Sequence, residues 1–287
     1  MLRALALLLA LCACRSAADS AVDPDRSAKG EAARAELRLM TFNIRYGTAR
    51  DGAHRWEERR ERVAARIREA APDVLALQEG LVFQLKELAP VLAGYRKIGQ
   101  HREGGLEGEF SGLFVHEQLE VLDQGEFWFS EQPQLAGSQS WDSSLPRMCA
   151  WVVVPVGSAR LPVRIYGTHY DHRGATARAM STRMILADSA TADPVVVMGD
   201  LNAAEGDDPV AGYLSRGFRS AVLEHDPSVT RGTMNAFRHE DGGAARIDHV
   251  LVRGPLEVVE AAILGGSVDG LFPSDHDAVT AVLRPTP

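Results

Sequence analysis

An apolar run, VVVMG, stops at Asp200, and Asn202 follows two residues later where a Gly- and Ala-rich stretch begins. A carboxylate beside a carboxamide is ordinary turn chemistry, because both side chains bond nearby backbone groups. The same placement recurs along the chain, however. Asn43 ends LMTFN, Glu79 ends VLALQE, His169 ends VRIYGTH, Asp248 lies in RIDHVLV, and Asp275 and His276 stand in PSDHDAV. Singly, each has a structural reading: a strand-end hydrogen bond for Asn43, a solvated carboxylate for Glu79, a half-buried histidine for His169, a partner of Arg246 for Asp248. Together they set polar groups at the ends of apolar strands, where a rigid scaffold holds side chains over a cleft. The set offers hard oxygen ligands and imidazole proton carriers, and it argues against a thiolate zinc site.

Holding such groups requires sheets. Residues 37–44 alternate toward a strand, 73–78 form an apolar run of strand length, and strand-like runs follow near 111–116, 119–129, 149–156, 163–169, 195–199, 247–253, 257–264 and 277–284. WEERRERVAARIREA, 56–70, places Val63 and Ile67 at helical spacing. A second helical stretch is expected over 81–92, interrupted or ended by Pro90, and a third over about 175–190. No repeat period appears. The chain has 287 residues, 45% of them hydrophobic, and no Pro/Gly linker midway. These features predict one α/β domain of layered sheets over residues 37–287.

The N-terminus reads differently. MLRALALLLALCACRS has one Arg, an apolar run too short to span a bilayer, then small residues, which is the layout of a secretory signal over residues 1–13. Leu11 to Cys14, LCAC, resembles the bacterial lipoprotein box, with Cys14 lipidated as the mature N-terminus; plain cleavage after small residues is the alternative. Residues 15–36 are small and charged without apolar period and are expected to tether lipid to domain. The protein is thus expected to be exported and membrane-anchored through that lipid, and to act as a monomer. Cys149, the remaining cysteine, lies in the strand-like MCAWVVVPV and reads as a buried, inert thiol. A formal charge of −8 gives no general pull toward nucleic-acid phosphates or anionic membranes.

TFNIRYG, DVLALQEG, GTHYDH, MGDLNA, RIDHVLV and SDHDAV occur in the order found in the endonuclease/exonuclease/phosphatase superfamily, which the chain resembles from Leu37 to Leu283. That superfamily comprises metal-dependent hydrolases, among them pancreatic deoxyribonuclease, deadenylases, neutral sphingomyelinases and inositol polyphosphate phosphatases. The resemblance implies a four-layer sandwich, two mixed β-sheets face to face with helices on the outer faces. It also implies that Glu79 is the principal ligand of Mg²⁺ or Mn²⁺, with Asn43 and Asp275 beside it. His276 would be a general base or a phosphate-contacting acid, with Asp248 orienting its ring. Asp200 would orient water or hold a second metal, and Asn202 and His169 would donate to phosphoryl oxygens. Strand alternation is expected to turn Asp200 and Asn202 to one side.

Weaker candidates surround these. Arg147 has the planar fork suited to a substrate phosphate. Asp171 and His172 either join the site or support its loop. Trp128 and Trp141 would stack on a base or sugar, or serve as buried anchors. Met234, in TMNAF, replaces the residue pattern of relatives and leaves substrate contacts there open. The implied activity is hydrolysis of a phosphodiester or phosphomonoester, as in a nuclease or deadenylase. Phospholipid, sphingomyelin or inositol-phosphate hydrolysis is an alternative, as is a non-catalytic binding module on the same fold.

Overall fold

The computed structural model describes residues 34–243 and 245–286. In chain order its elements are β1 (Leu37–Asn43), α1 (Trp56–Ala70), β2 (Val74–Gly80), α2 (Val82–Glu87), α3 (Ala89–Leu92), β3 (Tyr95–Ile98), β4 (Phe110–His116), β5 (Asp123–Trp128), β6 (Met148–Val156), β7 (Leu161–His169), α4 (Ala175–Asp188), β8 (Val195–Asp200), α5 (Asp208–Leu214), β9 (Arg219–Ser220), α6 (Ala221–His225), β10 (Asp248–Arg253), β11 (Leu256–Leu264) and β12 (Ala278–Pro285). They build two six-stranded sheets, ordered β11-β12-β1-β2-β4-β3 and β5-β6-β7-β8-β10-β9. Both sheets are mixed, since β1–β2 and β7–β8 pair parallel while their other pairs run antiparallel.

Strand alternation explains the layers. Leu37 and Leu39 of β1, Val74 and Ala76 of β2, Val152 and Val154 of β6, and Val196 and Met198 of β8 meet in one buried cluster between the sheets. The opposite face of the first sheet, with Met40, Phe42, Leu75 and Leu77, packs under Val63 and Ile67 of α1. The opposite face of the second, with Tyr166, Val195 and Val197, packs under Ile185 of α4 and Val210 and Tyr213 of α5. The result is the expected four-layer α/β sandwich.

Local differences from the sequence pattern have physical causes. The strand expected from 119 begins only at Asp123, because Leu119 N–H closes a turn onto His116 O at 2.8 Å and Leu119 enters the core from that turn. The helix over 81–92 breaks at Leu88, and Pro90 stands in the first turn of α3, where its missing N–H is no loss. The expected signal segment, Cys14 and the tether up to residue 33 lie outside the described residues. Arg34, assigned to the tether, bridges Val156 and pairs with Asp73 at 2.9 Å, so the domain begins before residue 37. Among the described residues, no helix is long and apolar enough to cross a membrane.

Candidate active site

Strand direction gathers the predicted residues. β1 and β2 run parallel, so Asn43 and Glu79 finish at one edge; β7 and β8 run parallel, so His169 and Asp200 finish side by side, in register with each other. β10 runs antiparallel to β8, which sets its first residue, Asp248, opposite the last residue of β8, Asp200. β12 is antiparallel to β1, and the segment entering it brings Asp275 and His276 to the same edge. Gly199 permits the close approach of β7 and β8, since a Cβ there would lie 2.0 Å from Thr168 O.

Two residues reach the site through unusual backbone. Glu79 has φ +64°, and the β2–β4 register shifts between Leu77 and Gly80, so a bulge re-aims this carboxylate. Asn202 has φ +47° and lies beyond the end of β8; its N–H donates to Asp200 Oδ1 at 2.9 Å. An Asx turn, rather than the expected strand alternation, therefore brings Asn202 beside Asp200 in the pocket. Non-glycine residues in left-handed backbone are costly and cluster where surrounding structure enforces a functional geometry.

Asp200 is the hub. Its Oδ2 accepts from Asn43 Nδ2 at 3.0 Å and lies 3.3 Å from His169 Nε2 and 3.9 Å from His276 Nε2. His276 Nδ1 in turn stands 2.8 Å from Asp248 Oδ2. Asp248 does not pair with Arg246, whose Nη1 donates to Glu205 at 2.6 Å. Burial, then the neighbouring Asp248 charge, push the Asp200 carboxyl well above the usual range. Burial opposes charge on His276, but the Asp248 and Asp200 carboxylates overrule it and hold the ring cationic. His169 is held neutral by burial and by the charges of Arg147 and His276.

The donor set fits a hard cation. Glu79 and Asp275 line one pocket, and Asp275 is pushed up first by burial and then, against the pull of His276, by the Glu79 charge. Carboxylates crowded in this way are relieved by a divalent metal. Asp248 Oδ1 is a further buried oxygen without a hydrogen-bond partner among the described residues. Atoms of Asp200, Asp248 and His276 also lie within 4.8 Å of one another. The 2.8 Å contact between His276 and Asp248 is, however, a hydrogen bond that a metal would have to break. Glu79 and Asp275 are engaged as well, Glu79 by Asn43 Nδ2 at 2.9 Å and the Tyr46 N–H at 3.0 Å and Asp275 by Arg45 Nη1 at 3.5 Å, but both carboxylates line the pocket and Asp248 does not. Asn43, expected as a ligand, turns its Nδ2 to Glu79 Oε1 (2.9 Å) and Asp200, while its Oδ1 accepts the Arg45 N–H at 3.0 Å. In this orientation it braces two carboxylates instead of facing them with an oxygen.

The other candidates divide. Arg147 and His172 line the pocket, and their side chains approach to 3.3 Å. Asp171 stays behind it, accepting from Ser144 and from the N–H groups of Arg173 and Gly174, and so fixes the loop under Arg147. Trp128 is a buried anchor whose Nε1 donates to Arg102 O at 2.7 Å, and Trp141 packs against the core of the second sheet. Met234 lines the pocket and bridges His276 through its backbone. Cys149 is fully buried and its thiol is pushed up by burial.

Four arginine or glutamate positions at or beside the site are not singled out by the motifs in the sequence. Arg45, Arg102 and Glu109 line the cavity of about 540 Å³, and Arg59, outside that lining, holds the backbone beside it. Arg59 is 0% exposed and donates to the carbonyls of Ile44, Arg45 (2.8 Å), His54 (3.0 Å) and Pro273 (3.2 Å). It thereby ties the loop after Asn43 to the loop before Asp275. Its only signal in the sequence was a charge on the otherwise apolar face of α1, one turn before Val63.

The profile of the endonuclease/exonuclease/phosphatase family matches residues 40–276. A comparison with curated proteins gives no match. Among solved structures, the chain is similar to an endonuclease/exonuclease/phosphatase from Bacteroides vulgatus, at 28% identity and TM-score 0.79 over 87% of this chain and 99% of that one. It is similar to a mannosyl-6-phosphatase from Bacteroides thetaiotaomicron, at 27% identity and TM-score 0.78 over 86% and 99%. TDP2 from Caenorhabditis elegans, at 20% identity and TM-score 0.65 over 87% and 97%, shares the fold alone.

Proposed function

The chain belongs to the endonuclease/exonuclease/phosphatase family of phosphoester hydrolases, typically metal-dependent, and from that premise we propose that it is an exported Mg²⁺-dependent phosphoesterase acting on small phosphate esters. The observation that carries this reading is the Asp248–His276–Asp200 array, whose Asp200 and His276 line one pocket with Glu79 and Asp275 while Asp248 holds His276 from behind. Water must be deprotonated and a phosphoryl group must be neutralised for hydrolysis, and the array divides those tasks.

Asp200, with its raised pKa, suits the base that orients and deprotonates water, because a base works best when its pKa nears the working pH. The cationic His276 suits the phosphate-contacting acid of the two roles expected for it, with Asp248 keeping its Nδ1 proton and leaving Nε2–H toward substrate. Neutral His169 and the Asn202 amide add donors, and Arg147 adds fixed positive charge for the phosphoryl oxygens. Glu79 and Asp275 would hold Mg²⁺, which when bound neutralises developing charge on the phosphoryl group.

Likeness to a mannosyl-6-phosphatase favours a phosphomonoester over nucleic acid, and the acidic chain favours the same choice. In the same proposal, cleavage before Cys14 and lipid on its thiol anchor the domain to a membrane outside the cytoplasm. The test is phosphate release in Mg²⁺ from a panel of sugar phosphates, nucleotides, oligonucleotides, inositol phosphates and sphingomyelin, each repeated in EDTA. Chelator-sensitive turnover of a monoester is expected; binding of these compounds without any turnover would favour the non-catalytic module.

A further inference from the structure

The loop joining β3 to β4 sends two side chains into the pocket that no motif announced. Arg102 N–H donates to Glu109 O at 2.9 Å across the base of this loop, and both side chains line the cavity with Asp200 and His276. Arg102 Nη1 donates to Glu109 Oε2 at 2.7 Å, and the two side chains are only 12% and 14% exposed. An ion pair this buried is poor stabilisation, since desolvation offsets its attraction. Among the described residues, Arg102 Nη2 and Glu109 Oε1 have no hydrogen-bond partner.

The pair therefore presents donors and an acceptor side by side on the pocket wall. A phosphate would accept from Arg102 but would be repelled by Glu109. A hydroxyl both donates and accepts, so adjacent hydroxyls satisfy the two groups together. A nucleobase finds less here. Tyr46 is the only ring of Phe, Tyr or Trp among the residues lining the cavity, and the Arg45 guanidinium lies over it, 4.8 Å from its centroid. Base recognition without base-edge readout needs an open aromatic face.

We propose that Arg102 and Glu109 form a subsite for the hydroxyls of a polyhydroxylated leaving group, so that the substrate is the phosphomonoester of a sugar or polyol. The inference rests on the phosphoesterase reading and deepens it. Arg102 and Glu109 are specificity residues in it; Asp200 and His276 carry the chemistry.

The experiment compares kcat/KM for a hexose 6-phosphate, a nucleoside monophosphate and p-nitrophenyl phosphate in the Mg²⁺-loaded protein and in Glu109→Gln and Arg102→Gln, with circular dichroism to verify folding. The ratio of hexose phosphate to aryl phosphate should fall at least about tenfold in each folded variant, chiefly through KM, because a buried hydroxyl loses a charge-assisted partner. An unchanged ratio in a folded variant, or a wild-type preference for the nucleotide, would overturn the subsite while leaving the phosphoesterase reading intact. If neither variant folds, a wild-type enzyme that fails to prefer hexose 6-phosphate to a simple alkyl phosphate without hydroxyls, whose leaving group is of similar basicity, overturns it. Absence of turnover on all three esters would remove the phosphoesterase reading and the subsite with it.

Discussion

His276 Nδ1 stands 2.8 Å from Asp248 Oδ2, and both side chains are buried at the strand edge. Burial alone would keep this ring neutral; the Asp248 charge, then that of Asp200, reverse the outcome. Asp248→Asn should therefore let His276 titrate at lower pH, seen in the ring resonances by NMR. The limb of the pH–rate profile that reports His276 should move the same way, and turnover should drop at least about 10²-fold.

Asp171 supports the site from behind. Burial would raise its carboxyl, but the Gly174 N–H, Ser144, the Arg173 N–H and the Arg147 charge overrule it and hold the pKa well below the ordinary range. A carboxylate depressed on folding stabilises above its unfolded pKa, about 3.9, and loses that contribution as pH falls toward the folded value. Asp171→Asn should lower stability by about 1.5–3 kcal/mol at neutral pH. In urea titrations the gap from wild type should be constant above about pH 5 and close as the pH drops below about 4.

Arg59 carries a different prediction. Burial pushes its pKa down to about 10 despite the opposing charges of Asp275 and Asp51, so it remains cationic at neutral pH. Arg59→Met leaves the carbonyls of Ile44, Arg45, His54 and Pro273 without this donor. Each buried carbonyl left unpaired costs about 1–3 kcal/mol, so a drop of at least about 3 kcal/mol is expected in the urea unfolding free energy. Turnover should fall as well, since the loop after Asn43 and the loop before Asp275 lose their common tie.

Much of this arrangement was legible before the fold. The strands ending at Glu79 and Asp200 are near-continuous apolar runs, because both of their faces are buried, while β1 and β7, interrupted by Arg38 and Arg164, still become apolar toward Asn43 and His169, so the polar ends stand out against that background. β3, with pattern Tyr-Arg-Lys-Ile at a sheet edge, carries too little apolar signal to be read, and α5, α6 and β9 are too short to show a period. Glu109 and Arg102 were invisible for another reason: their place in the pocket depends on pairing across the β3–β4 loop, which spacing does not encode. The Asx turn at Asn202 and the bulge at Glu79 likewise depend on backbone angles that residue types leave open.

In the function proposed above, a divalent metal held by Glu79 and Asp275 makes this pocket a phosphoesterase. Its most direct test follows phosphomonoester turnover against Mg²⁺ concentration in metal-stripped protein and in Glu79→Gln, with Mg²⁺ binding measured calorimetrically on the same samples. Wild-type turnover should rise with Mg²⁺ occupancy from near zero, and Glu79→Gln should lose binding and turnover together while staying folded. Full turnover by the stripped protein in EDTA, or by Glu79→Gln with no bound metal, would contradict that function.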